Sequence, residues 1–185
     1  MNTVIAKILG GVDEMGYMYS HMTDRQDICP ICKNRITDIP NLEYKVKKKS
    51  SDFLATYDHY FIVSQKFKDF CELNKYENLE FTQLAYSKDF FSIRINNIFP
   101  LDYVRRKTKF INYRECCGSY DEIIGATPAF NKEDCSLISN DFIFRTEYRF
   151  GSYAFKHYNI IIGLETIKKL KESNLKGLLY DNVYF

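Results

Sequence analysis

Alternation of apolar and polar residues marks several short strands. Leu42, Tyr44 and Val46 alternate with Glu43, Lys45 and Lys47, the period of two expected of a strand with one buried face. Phe91, Ile93 and Ile95 alternate with Ser92, Arg94 and Asn96 in the same way. Phe142, Phe144, Tyr148 and Phe150 share one parity across 141–150, the best long strand in the chain. Tyr60-Phe61-Ile62-Val63 is a short buried-strand candidate, and Ser64 is placed to cap a following helix. In that helix Phe67, Phe70 and Cys71 fall on one face. Gly10, Gly11 and Gly16 break up residues 1–22, which the pattern leaves unassigned, and 29–40 reads as a loop-rich knuckle.

The two halves repeat. Tyr60 to Asn74 parallels Ile160 to Asn174, with Phe67 against Ile167 and Phe70 against Leu170. After one deletion, Tyr76 to Phe81 runs beside Leu175 to Tyr180. Each copy reads strand, helix, tight turn, strand. The turn residue is Asn78 in one copy and Gly177 in the other, the residue types that tolerate a left-handed backbone. The pattern predicts an α+β fold with mixed sheets and few helices, in which two strand-helix-strand pseudo-repeats are joined by a zinc-knuckle-like element. One domain over 1–185 is expected, with lobes at 42–100 and 141–185 around a cysteine region at 29–40 plus 114–125.

Composition narrows the function classes. Hydrophobic residues are 45% and charged residues 27%, a globular balance that argues against disorder. A net charge of +2 is too near neutral to argue for nucleic acid or a membrane surface. Lys47 to Lys49 and the cluster Arg105, Arg106, Lys107 and Lys109 read more simply as solvated surface. No apolar run approaches the ~18 residues of a membrane span, and residues 1–14 lack the features of a secretory signal. The expected location is the cytoplasm, where cysteines stay reduced unless a metal claims them.

The chain has 6 cysteines. Cys29-Pro30-Ile31-Cys32 has the form of a zinc knuckle, a turn whose two thiolates grip one side of a tetrahedral ion. A redox CxxC normally sits between a strand and a helix, whereas here turn-like Thr23 to Gln26 precede it. A second pair of ligands is needed, and Cys116-Cys117-Gly118 is the natural source. Closing the intervening loop costs roughly 4 kcal/mol, against the ~10 to 16 kcal/mol that a structural zinc returns. Adjacent side chains tend to diverge, so three cysteines plus another ligand, or ordinary thiols, stand as alternatives to Cys29, Cys32, Cys116 and Cys117. A four-thiolate shell leaves no open position and predicts structure, not catalysis. Cys71 lies on the apolar helix face as a small hydrophobe, and Cys135 has no evident partner. His21, His59 and His157 are scattered without metal-ligand spacing. Neither a nucleophile elbow nor a phosphate-binding glycine loop occurs, and no enzyme is expected.

With these residues in view, the chain resembles bacterial polymorphic-toxin immunity proteins of the double-CxxCG type. The resemblance rests on the early CPxC and on Glu115 to Gly125, Asp141 to Thr146, Arg149 to Gly151 and Ile160 to Val183. Gly163-Leu164-Glu165-Thr166 with Leu175-Lys176-Gly177-Leu178 looks like that family's C-terminal signature. Two departures stand out: Lys33 replaces the glycine after the first motif, and Arg114 stands where a cysteine is expected. Cys117 carries over as a metal ligand, and Cys116 as a substitute. The resemblance implies direct, stoichiometric binding of a cognate protein toxin. A zinc-ribbon nucleic-acid-binding protein is the competing expectation, and a thiol-active protein using Cys29 and Cys32 a distant third.

Overall fold

The computed structural model describes residues 3–21, 25–132 and 139–185. Cys135 and the start of the segment before Cys29 lie outside them. In chain order the strands are β1 (Val4–Asp13), β2 (Phe53–Ala55), β3 (Phe61–Ser64), β4 (Leu79–Leu84), β5 (Ser87–Ile95), β6 (Lys109–Arg114), β7 (Ser119–Ile124), β8 (Ala129–Phe130), β9 (Ile143–Arg145), β10 (Gly151–Ser152), β11 (Ile160–Gly163) and β12 (Leu178–Tyr184). The helices are α1 (Gln65–Leu73), α2 (Tyr103–Arg106) and α3 (Leu164–Glu172). Among the described residues, nine strands form one mixed sheet and β10, β7 and β6 a second. The fold is α+β, as the sequence pattern predicts.

The repeat is present, and it is larger than the sequence suggests. In the first unit β5 lies between β3 and β4, antiparallel to both, with α1 joining the outer strands. In the second, β1 lies between β11 and β12, again antiparallel to both, with α3 as the connection. The registers correspond residue for residue. Ile62 faces Ser92 and Ser92 faces Thr82 in one unit, while Ile161 faces Ile8 and Ile8 faces Asp181 in the other. The middle strand thus follows its unit as a hairpin in the first copy and arrives from the N-terminus in the second.

The structure corrects the pairing used to find the repeat. Ser64 and Gly163 are both N-caps, Lys75 and Asn174 are both left-handed, and so are Asn78 and Gly177. One ungapped register therefore relates the copies, and Asn74 does not correspond to Asn174. The shared asparagine pulled the helices one residue out of step. An amphipathic stripe is wide enough to hide such a slip.

The two N-caps show how different residues solve one problem. Ser64 Oγ accepts from the Phe67 N–H at 3.2 Å, worth about 1 kcal/mol to the helix. Gly163 has no capping side chain; instead the Asn140 carbonyl accepts from the Glu165 N–H at 2.9 Å. That carbonyl occupies the space of a side chain, for a Cβ on Gly163 would stand 1.9 Å from it.

Between the units, β2 runs parallel to the end of β1 and antiparallel to β3. Asp52 reinforces this joint: one carboxylate oxygen accepts from Ser64 Oγ and the other from the Lys176 N–H, each at 2.7 Å. Both helices pack on one apolar cluster, where Phe67, Phe70 and Cys71 of α1 meet Ile167 and Leu170 of α3 around Leu9, Phe53 and Ile162. Phe53 and Phe67 are fully buried, with ring centroids 5.0 Å apart. Truncating either to Ala has the ~3–5 kcal/mol cost usual for a core Phe.

Three local expectations change. Residues 42–47 are not a strand, although Tyr44 and Val46 are buried. The Tyr44 N–H closes a turn on Asn41 O, and side chains take the amides of 46–48, Val46 to Ser87 Oγ and Lys47 and Lys48 to the Glu14 carboxylate. The expected long strand at 141–150 is only β9, because Thr146 Oγ1 bonds Tyr148 O and the Asn159 N–H and turns the chain away. The unassigned N-terminus is the 10-residue strand β1. Gly11 sits there because a Cβ would meet the backbone of Leu54 at 2.6 Å.

Gly163→Ala is expected to destabilise the protein by at least ~2 kcal/mol, since the obstruction is backbone and overpacking is costly. Gly10→Ala, whose Cβ meets Leu179 at an ordinary 3.6 Å, is expected to change it little. Urea unfolding of the two variants checks the contrast.

Candidate metal centre

The first cysteine turn is held by its own backbone. The Cys29 N–H donates to Asn34 O at 2.7 Å and the Lys33 N–H donates to Cys29 O at 3.0 Å. Lys33 takes the left-handed conformation at φ 62°, which costs a non-glycine residue about 1–2 kcal/mol. Its ammonium bonds Pro30 O at 2.8 Å. The second turn joins β6 to β7 and has the same form. The Cys117 and Gly118 N–H groups donate to Arg114 O at 3.2 and 2.9 Å, and Gly118 is left-handed at φ 63°. Lys33 thus corresponds to Gly118, Cys32 to Cys117, and Cys29 to Arg114.

Across 85 residues of chain, Cys32 Sγ lies 3.4 Å from Cys117 Sγ. Cys29 Sγ lies 3.9 Å from Cys116 Sγ. All four sulfurs fall within 4.8 Å of one another, and among the described residues no histidine or carboxylate joins them. Thiolates arranged tetrahedrally at about 2.3 Å from an ion would be about 3.8 Å apart. The donor set and spacing fit one tetrahedral ion. Cys116 fills the position that Arg114 leaves, and Cys71 lies apart in the core with its thiol pushed up by burial.

Arg114 has another task. Its guanidinium grips the Asp121 carboxylate at 2.6–3.0 Å, and Asp121 also accepts from Asn34 Nδ2 at 3.0 Å. One carboxylate therefore ties the two cysteine turns together. Lys156 is fully buried beside them, its ammonium on Ser119 Oγ at 2.9 Å and on Tyr120 O. Burial lowers its pKa, against the opposing pull of Cys117 and Asp121. Cys32 experiences an upward push from burial, but the Asn34 amide and the neighbouring thiols bring its pKa down to about 7. Burial and those neighbours push Cys116 up to about 12 and Cys117 upward. Four thiolates around a divalent ion would carry a net charge of −2; the Arg114 charge is already matched by Asp121, so Lys156 is the neighbouring positive charge that would offset part of it.

A buried network that no sequence pattern announces anchors the first turn. Arg25 pairs with Asp27 at 2.6 Å, and Arg35 reaches Asp27 at 3.4 Å and Asp38 at 3.3 Å. Arg35 also lies 3.9 Å over the Tyr60 ring and donates to Asp58 O and Lys156 O. Isolated charged residues give no periodic signal, so only the fold brings these together.

No helix of the described residues is long and apolar enough to cross a membrane. No protein-family model matches the chain, and no curated protein matches it.

The Asp121 carboxyl is held below its ordinary pKa, first by its hydrogen bond to Arg114 and despite desolvation. A depressed carboxyl stabilises the fold above its unfolded pKa of about 3.9 and loses that contribution as pH falls below it. Arg114→Gln is therefore expected to melt below wild type at pH 7, with the gap closing as pH drops below about 4. Thermal midpoints measured from pH 7 to pH 3 check this.

Proposed function

We propose that this chain is an immunity protein that neutralises a cognate bacterial toxin in the cytoplasm by stoichiometric binding, with no turnover. The observation that carries the reading is the meeting of the two cysteine turns on which the resemblance rests, with Cys116 in place of the cysteine lost at Arg114. A structural zinc bound by Cys29, Cys32, Cys116 and Cys117 would close its own coordination shell and leave no position for a substrate.

An exposed aromatic group beside the first cysteine turn supplies what an interface needs. Tyr17, Tyr57, Tyr153 and Phe155 are each more than 40% exposed. Tyr17 lies 5.2 Å from Tyr57 and 6.5 Å from Phe155, ring to ring. Tyr153 is left-handed at φ 48° and is held there as its carbonyl accepts from the Arg35 N–H at 3.1 Å. Rigid aromatic anchors bury area at low entropic cost. A strained, exposed tyrosine fixed by a buried arginine is consistent with such an anchor.

Metal analysis of the purified protein is expected to give one zinc per chain. Cys29→Ser and Cys117→Ser should lose the zinc and lower the melting temperature, whereas Cys71→Ser keeps it. Protein free of stoichiometric metal would remove the zinc from this reading.

Native mass spectrometry after gentle capture from the host is expected to show a one-to-one complex with a polypeptide toxin. Tyr17→Ala with Phe155→Ala should weaken the complex by roughly 30-fold or more, the scale of an interface hot spot. Association with DNA or RNA that weakens steeply with salt would favour the zinc-ribbon reading instead.

A further inference from the structure

A cleft of about 70 Å³ is lined by Arg35, Arg94, Arg145 and Arg149, with Asp38 as its one carboxylate; Arg35, Arg149 and Tyr158 also line the neighbouring cavity that Cys117 borders. Arg149 grips Asp38 at 2.8 Å and Arg35 reaches it at 3.3 Å, so that acid is already shared. Arg94 meets Glu80 only at 3.7 Å, where both are exposed. Arg145 makes no direct ion pair among the described residues and acts on Asp38 only through space; it donates to Ile95 O and Thr146 O, each at 2.8 Å. The cleft carries more positive charge than its own carboxylates neutralise.

Its geometry is fixed by a stack. The guanidinium of Arg145 lies 4.0 Å over the Tyr158 ring and that of Arg149 lies 4.2 Å over the same ring. Such stacking holds planar donors in place without consuming them. Arg145 uses Nε and Nη1, and Arg149 uses Nε and Nη2. One terminal nitrogen of each has no hydrogen-bond partner among the described residues. His59 and His157 stack at 4.1 Å on the same wall. Burial and the stacked His59 hold His157 at about 3, and burial with Arg35 lowers His59. The lowered pKa values keep both rings from adding positive charge to the wall, and His157 Nδ1 is turned to the Phe155 carbonyl. A groove of about 500 Å³ shares Asp38, Arg94, Arg149 and Tyr158 and opens the cleft to solvent.

We propose that this cleft is a binding site for one small oxyanion, a phosphate or carboxylate group, held by the free guanidinium nitrogens of Arg145 and Arg149 on the Tyr158 platform. Its volume of about 70 Å³ holds several waters, room for a single phosphate or carboxylate group. Guanidinium forks match phosphate and carboxylate oxygens bidentately. The inference goes beyond the toxin reading and does not depend on it.

The test uses the full chain in NMR titrations at constant ionic strength, with inorganic phosphate in one arm and acetate in the other, and chloride as the reference. Saturable shifts of the His59 and His157 ring protons in wild type are expected with at least one oxyanion. The tighter arm identifies whether phosphate or carboxylate is the natural group. Arg145→Lys and Arg149→Gln should each weaken binding at least tenfold. No saturable shift beyond chloride in either arm, or binding unchanged in both variants, would overturn the proposal. The wild-type titration decides even where a variant fails to fold, and neither outcome depends on a toxin.

Discussion

The pairing of β1 with both β11 and β12 is the constraint on which the architecture depends. Without it the second unit has a helix and two outer strands with nothing between them. The first unit needs no such help, because β5 follows β4 directly and folds back between β3 and β4. β1 then extends past its own unit to pair with β2. One strand therefore completes a unit and joins it to the other. The small residues follow from this double duty: Gly11 allows β2 to approach, and a Cβ on Gly177 would stand 2.6 Å from Phe53 O and 3.1 Å from Val12.

The cysteine turns belong to the other sheet and to the loop before β2, so they sit outside this repeated frame. Their union is held from three sides: the sulfurs themselves, the Asp121 carboxylate shared by Arg114 and Asn34, and the buried Arg35. Removing one partner from a buried charge network costs more than the network contributes in sum, because the remaining charge stays dry. Arg35 stands between the aromatic group, which its backbone N–H reaches at Tyr153 O, and the arginine cleft, which its guanidinium reaches at Asp38. One buried residue thus touches two of the candidate surfaces and follows directly on the first cysteine turn.

Legibility in the sequence followed the nature of each residue's partners. Phe91, Ile93 and Ile95 announced a strand because their backbone pairs with strands. Tyr44 and Val46 gave the same signal falsely, since a turn to Asn41 and the Ser87 and Glu14 side chains took the amides of Tyr44 and 46–48 that a neighbouring strand would have taken. β1 was hidden by Gly10 and Gly11, which read locally as a break although packing requires only the second of them. The four cysteines were legible from residue type and the turn chemistry around them. The substitution of Cys116 for the cysteine expected at Arg114 was legible too, while the task of Arg114 itself, on Asp121, shows only in the fold. Arg145, Arg149 and Tyr158 come from neighbouring but separate stretches, with no spacing to mark them.

The order of the strands along the chain has a consequence for synthesis. A ribosome delivers every strand of the first unit by residue 95, so that unit can assemble from local pairings while translation continues. The second unit begins with Val4 and is finished only at Tyr184. Until β11 and β12 emerge, β1 carries Ile5, Ile8 and Leu9 without the strands that flank them, an apolar segment open to any edge it meets. The longest wait in the life of the nascent protein falls on the segment that the finished fold needs most.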